Sequence, residues 1–272
     1  MRYYTSFRPG HDWEYAEKAV EAGVDGFEIV QWQSYYSEEE WGAYLRLVQR
    51  IKNELKVGFT VHAPILDIHL GSLNRRVRSA ALEEIKASLD LARTVDASLV
   101  VVHGAPGILT MPAGEWSKQA YQPGTDERER VDKQEAYLVR ALKDLADYAP
   151  DILLGLENLV FPHEMYRSPE EMRELLQKVN RSNVGVTIDA GHALVCGYEA
   201  SDFINLLNDR VVHIHLHDNH GVRDEHLPLG KGVVDYVGII QTLKKMDYQG
   251  VVNLEFSLTN PENYEDYMLE FK

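Results

Sequence analysis

Apolar positions along this chain follow two rhythms. Eight short runs read as strands: YYTSF (3–7), GFEIV (26–30), GFTVHA (58–63), LVVVHG (99–104), LLGLEN (153–158), VGVTIDAG (184–191), VVHIHLHD (211–218) and VVNLEFS (251–257). Longer segments with a helical period separate them. In EEEWGAYLRLVQRIKNEL (38–55) and RSAALEEIKASLDLARTV (78–95) the apolar residues recur at three- and four-residue steps, so one face of each is buried. SPEEMRELLQKV (168–179) opens with Ser then Pro, a capping oxygen followed by a ring preset for the first turn. Seven such segments lie between the eight runs, and an eighth follows the last. Repeated strand–helix units without a linker predict a single (β/α)8 TIM barrel over residues 1–272. The alternative is an open doubly wound sheet. It lacks the Gly-rich phosphate turn after the first strand. Gly230-Lys231-Gly232 has neither the spacing nor the Ser/Thr of a P-loop.

One connection breaks the rhythm. GAPGILTMPAGEWSKQAYQPGTDERER (104–130) follows the fourth run and reads as a long loop. Loops of this length in compact domains are often lids, and Trp116 and Tyr121 suit one that closes over a ligand.

Composition narrows the setting. An apolar fraction of 44% can fill a substantial core, and Cys196 is the only cysteine, so no internal disulfide forms. No apolar leader or membrane-length run occurs, which makes the cytoplasm the expected location and a membrane partner unexpected. The formal charge of -15 disfavours nucleic acid as a partner, although it leaves room for a local basic groove.

The candidate chemistry lies at the strand ends, where barrels of this kind carry their active sites. His62 ends the third run, His103 the fourth and Glu157 the fifth. Asp189 ends the sixth, with His192 just beyond. His215 lies near the end of the seventh, Asp224 and His226 in the loop after it, and Glu255 ends the eighth. One such residue is readily explained as a satisfied polar group or a cap. Six consecutive strands that aim His, Asp or Glu at one mouth are not, because carboxylates gathered without cations repel and are costly to desolvate. Mixed imidazole and carboxylate donors suit zinc, manganese or iron. Alternation puts His213, His215 and His217 on one face, with His213 deeper and His217 nearer the rim.

Together the pieces TVHAPILDIHLGS, VVVHGAP, LGLEN, GVTIDAGHALVCGY, HIHLHDN, DEHLPLGKG and NLEFS resemble the superfamily of xylose isomerase-like sugar isomerases and epimerases and endonuclease IV-type AP endonucleases. The epimerase branch implies one divalent ion on Glu157, Asp189, His215 and Glu255, with His192 binding substrate. The endonuclease branch implies three zinc ions on His62, His103, Glu157, Asp189, His192, His215, Asp224, His226 and Glu255. There Glu157 bridges two ions and His192, Asp224 and His226 hold the third. The expected cofactor is therefore one to three divalent ions of Zn, Mn or Fe. Glu28, by resemblance to the isomerase branch, is expected to face a sugar, and Trp32, Tyr35 and Tyr36 could stack on either a sugar or a base. Lys231 or Arg223 could meet a phosphate. Ile65 stands where an endonuclease is expected to carry an aromatic residue for DNA insertion.

Three functions follow. The first is a sugar or sugar-phosphate isomerase or epimerase in which Glu157 and Glu255 move a proton through an enediolate, with a small carbohydrate as partner. The second is an AP endonuclease or phosphodiesterase with a multinuclear zinc site. The third is a metal-dependent binding protein. The sequence leaves the sugar and the oligomeric state open.

Overall fold

Each of the eight apolar runs forms a parallel strand, and the strands close on themselves in chain order. They are β1 (Arg2–Phe7), β2 (Gly26–Val30), β3 (Gly58–His62), β4 (Leu99–His103), β5 (Leu153–Glu157), β6 (Val184–Asp189), β7 (Val211–Leu216) and β8 (Val251–Leu254). β1 pairs with both β2 and β8, which seals the (β/α)8 barrel. The computed structural model describes residues 1–31, 36–104, 125–162, 164–256, 258 and 261–271.

The surrounding helices are α1 (Trp13–Glu21), α2 (Glu38–Leu55), α3 (Arg75–Val95), α4 (Thr125–Tyr148), α5 (Pro169–Val179), α6 (Ala190–Cys196), α7 (Ala200–Leu207), α8 (Tyr236–Lys245) and α9 (Tyr264–Phe271). Their apolar stripes face the strands. On α2, Tyr44, Val48 and Ile51 are buried; on α3, Ile85, Leu89 and Ala92 are. Fully burying an Ile or Leu side chain contributes ~1.5–3 kcal/mol. Ser37 and Ser168 begin α2 and α5 with capping boxes closed by Glu40 and Glu171. Among the described residues, no helix is long and apolar enough to cross a membrane.

Two boundaries differ from the sequence reading. α3 begins at Arg75, because the Asn74 side chain accepts from the Arg76 N–H and caps a first turn too charged to show a period. The segment expected to remain a loop through residue 130 is already helical from Thr125. Strong helix formers fill that stretch, and Lys133 pairs with Glu129 one turn away. Trp116 and Tyr121 lie outside the described residues.

Strand register arranges the polar residues in layers. Glu28 is level with Ser6 and Thr60. His103 is level with Glu157, Asp189 with His215, and His215 with Asn253. The layers at the mouth are therefore acidic and imidazole-rich, while the helix-facing core is apolar.

Candidate metal centre

The strand ends bring eight of the nine expected ligands into interlocking groups. Glu157, Asp189, His215 and Glu255 each turn one donor atom into a common space less than 4.8 Å across, and all four are buried. His215 Nδ1 sits 2.9 Å from Glu255 Oε2, 3.3 Å from Glu157 Oε1 and 3.9 Å from Asp189 Oδ2. His62 forms a second group with Glu157 and His215. Its Nε2 lies 3.3 Å from Glu157 Oε2. His103, the ninth residue, is outside these groups but reaches the same oxygen, with Nε2 at 3.0 Å. A further group joins His192, His217, Asp224 and His226. His217 is the member that the sequence reading left out. Its signal was there: it shares a face with His215 and lies just past the strand end.

Main-chain carbonyls set the imidazole tautomers. The Nδ1–H groups of His62, His192 and His226 donate to the carbonyls of Ala63, Asn158 and Glu255 at 2.9, 2.9 and 2.8 Å. A carbonyl only accepts, so Nδ1 carries a proton and each Nε2 faces the site, where loss of its own proton would free a lone pair for a metal. This is how proteins commonly present imidazole to a metal. The donor set also passes a second test. Asp224 Oδ1 and Glu255 Oε2 are buried oxygens without a hydrogen bond. Their contacts to His217 at 3.5 Å and His215 at 2.9 Å are ion pairs out of hydrogen-bond line, and an unsatisfied buried acceptor costs ~1–3 kcal/mol. A divalent cation satisfies both the charge and the lone pairs.

Glu28 has a different place from the one expected. It is fully buried below the mouth, within the barrel, and is not among the described residues that line the cleft. Thr60 Oγ1, His213 Nε2 and Asn253 Nδ2 hydrogen-bond to its carboxylate at 3.0, 2.9 and 2.8 Å. His215 Nε2 lies 3.0 Å from Glu28 Oε1, an off-line ion-pair contact. Glu28 therefore holds the back of the His215 ring while Nδ1 faces Glu157, Asp189 and Glu255. The physical reason is its position in the middle of β2, two residues short of the rim.

Charges in the cluster support one another. Burial raises the Glu157 carboxyl, but His103 and His215 outweigh it and hold the group well below the usual range. For Glu28, His215 and His213 overcome burial in the same way. Burial lowers the His215 imidazole, and Glu255, Glu28 and Glu157 lift it well above its ordinary value. His226 rises to about 9 because Asp224 and Glu255 overcome its burial.

Asp218 sets the loop that carries Asp224 and His226. Its carboxylate accepts the N–H groups of Asn219, Gly232 and Val234 at 2.9, 2.8 and 2.9 Å. Its backbone pairs both ways with Leu227. A Cβ on Gly232 would lie 2.2 Å from the Asn219 carbonyl oxygen, so this turn requires glycine. Likewise, a Cβ on Gly191 would meet the His217 ring at 2.0 Å; the glycine makes the space that the imidazole fills. Asn158 ties β5 to β6, since its side-chain amide pairs in both directions with the Asp189 backbone.

The groups open into a cleft of about 220 Å³ lined by His62, Ile65, His103, Glu157, Phe161, His192 and Glu255, among others. Lys231, expected to meet a phosphate, is exposed on the loop before α8 and is not among the lining residues. It belongs to the turn pinned by Asp218, where its N–H donates to the Pro228 carbonyl. Trp32 and Tyr35 lie outside the described residues.

Comparison with known proteins places this architecture. The model of the xylose isomerase-like TIM barrel family matches residues 16–270. An uncharacterised protein of Methanocaldococcus jannaschii is 31% identical over 243 residues, covering 88% of this chain and 77% of its own length. A protein of Mycobacterium leprae named "Probable endonuclease 4" is 26% identical over 232 residues, covering 82% of this chain and 83% of that protein. Among solved structures, a D-tagatose 3-epimerase-like protein superimposes with a TM-score of 0.80 at 25% identity, covering 100% of this chain and 97% of that one. With a family match along nearly its whole length and a closed eight-stranded barrel, the chain belongs to the xylose isomerase-like TIM-barrel family.

Proposed function

We propose that this protein is a divalent-metal-dependent isomerase or epimerase of a small sugar or sugar phosphate. The observation that carries the reading is the pair of carboxylates at the cleft floor. Glu157 Oε1 and Glu255 Oε2 stand 3.3 and 2.9 Å from the same His215 nitrogen, and both residues line the cleft. One carboxylate removes the proton from the carbon beside the carbonyl. For epimerisation the other, which must start protonated, donates its own proton to the opposite face; for isomerisation the first carboxylate delivers the proton it took to the neighbouring carbon. Glu157, Asp189, His215 and Glu255 would hold a divalent ion, which would supply positive charge to polarise the substrate carbonyl. His192, with its Nδ1 fixed, turns Nε2 toward Asp224 and forms part of the cleft wall. The likeness to a 3-epimerase-like structure supports the same chemistry. A cleft of about 220 Å³ suits a small polyol better than a drug-sized ligand, for which pockets of ~300–1,000 Å³ are usual. Among the described lining residues there is no Lys or Arg, which favours the free sugar over its phosphate.

The second reading is a phosphodiesterase of the endonuclease IV type. The observation favouring it is that His62 and His103 both reach Glu157 Oε2 while Asp224 gathers His192 and His226, as a multinuclear site requires. Glu28, buried inside the barrel, places no charge where a DNA phosphate would pass. A paired assay separates the two. The metal-loaded protein is incubated with ketoses and their phosphates in deuterated water, and separately with abasic-site duplex at low salt. Deuterium uptake at the carbon next to the carbonyl is the expected result. Strand incision without uptake from any sugar refutes the isomerase reading.

A further inference from the structure

We propose that His217 joins His192, Asp224 and His226 in a closed, four-coordinate site for a zinc-like ion, separate from the carboxylate-rich centre around His215. The likeness to endonuclease IV accounts for three of these residues and leaves His217 out. In this chain its ring fills the space above Gly191 and stacks on His226, with centroids 4.0 Å apart and planes 16° apart.

One donor atom from each of the four residues lies within 4.8 Å of the others, close enough to share one ion. Zinc–nitrogen and zinc–oxygen bonds of ~2.0–2.1 Å give tetrahedral edges of about 3.3 Å. The observed separations are 3.4 Å from His192 Nε2 to Asp224 Oδ2 and 3.5 Å from His217 Nε2 to Asp224 Oδ1. His226 Nε2 is 2.9 Å from Asp224 Oδ2. Nδ1 of His192 and of His226 is committed to a carbonyl, so their Nε2 atoms are the available donors. Asp224 Oδ1 has no hydrogen bond. Three imidazoles and one carboxylate fill all four positions, which is the character of a structural zinc site and not of one with an open position for substrate.

The outer contacts indicate what the ion does. His226 is tied to the Glu255 carbonyl, and His192 to the carbonyl of Asn158, the residue after Glu157. An ion at this site therefore braces the main chain at both carboxylates that flank His215. This positioning role rests on the isomerase reading; the coordination itself does not. His217 has one competing contact, since its Nε2 is also 3.1 Å from both oxygens of Asp189.

The test uses the whole chain, stripped with chelator and titrated with Co²⁺. Visible absorption and metal analysis are read together, without substrate. The wild type should bind at least two ions per chain, one with the intense bands of tetrahedral cobalt. His217→Phe keeps a ring beside Gly191 but offers no donor. It should lose those bands and weaken that ion by about ten- to a hundredfold, as should Asp224→Asn. Glu255→Gln should do the reverse, keeping the bands and weakening the other ion. One ion per wild-type chain, or tetrahedral bands undiminished in His217→Phe, overturns the proposal. So does loss of only the carboxylate-centre ion in that variant, which would make His217 a partner of Asp189 alone. Should His217→Phe fail to fold, His217→Leu decides: tetrahedral bands that persist undiminished in it overturn the proposal. Because no sugar enters the experiment, failure of the isomerase reading leaves its outcome unchanged.

Discussion

Glu28→Gln is the sharpest probe of how the centre is held. Glu28 Oε1 faces Asn253 Nδ2 and His215 Nε2; Oε2 faces Thr60 Oγ1 and His213 Nε2. All four neighbours can donate, and a carboxylate can accept from all of them. A glutamine has the same shape but one acceptor oxygen. Its NH₂ group must point at two former donors. The Thr60 hydroxyl can rotate and His213 can shift its proton to Nδ1, which has no partner of its own. If at least one buried donor remains unsatisfied, the metal-free protein loses ~1–3 kcal/mol. The larger effect falls on His215, which loses the negative charge behind its ring. Changing a residue that orients a metal-bound histidine costs about ten- to a hundredfold in affinity. Metal affinity by competition with a chelating dye, and denaturant unfolding in EDTA, measure the two quantities. KM for the sugar should not change, because Glu28 is sealed from the cleft. A raised KM with unchanged metal affinity would refute this reasoning and return Glu28 to the substrate wall.

Three further outcomes are expected. Glu255→Gln should lower kcat by about 10²–10⁴, as for loss of a general acid or base, and weaken the ion at His215 without unfolding the barrel; His226→Ala should lower kcat far less, and equal losses in both would point to a multinuclear reaction centre. In the metal-free protein the folded His226 value of about 9 exceeds its unfolded value of about 6.5, so its stabilising charge is fully present below pH ~6.5 and is lost as the pH rises through 9. Metal binding needs the neutral ring, so affinity should climb over the same window and binding should release protons; melting curves with EDTA and with zinc should diverge from pH 6.5 to 9, and parallel curves would contradict this. Gly191→Ala should displace the His217 ring and destabilise the protein by ~1–3 kcal/mol, read by urea unfolding; a neutral substitution would mean that the ring has room to move.

The barrel was legible because its two periods are plain: eight apolar runs became eight strands with boundaries shifted by a few residues at most. The mouth was legible because His62, His103, Glu157 and Asp189 are the last residues of their strands. What escaped depends on depth and on the ends of helices. Glu28 looks like another strand-end acid until register places it level with Thr60 in the barrel interior. His217 looks like a rim residue until α6 brings Gly191 beneath its ring. The charged first turns of α3 and α4 carry no apolar period, so caps and propensity define them. For Lys231, a cation in a glycine-rich turn suggested a phosphate; the turn is held by Asp218, and Lys231 is not among the described residues that line the cleft.

The carbonyl anchors behind His62, His192 and His226 affect which changes this site can survive. A side-chain anchor can be deleted by one substitution, but a main-chain carbonyl is present whatever residue bears it. Substitution at Ala63 or Asn158 leaves the anchoring oxygen itself in place. An insertion or deletion that slides the backbone by one residue removes it at once. The orientation of these rings is therefore tolerant of drift in composition and intolerant of drift in length. A one-residue change in the segments after β3, β5 or β8 should be far more damaging to metal affinity than most point changes there.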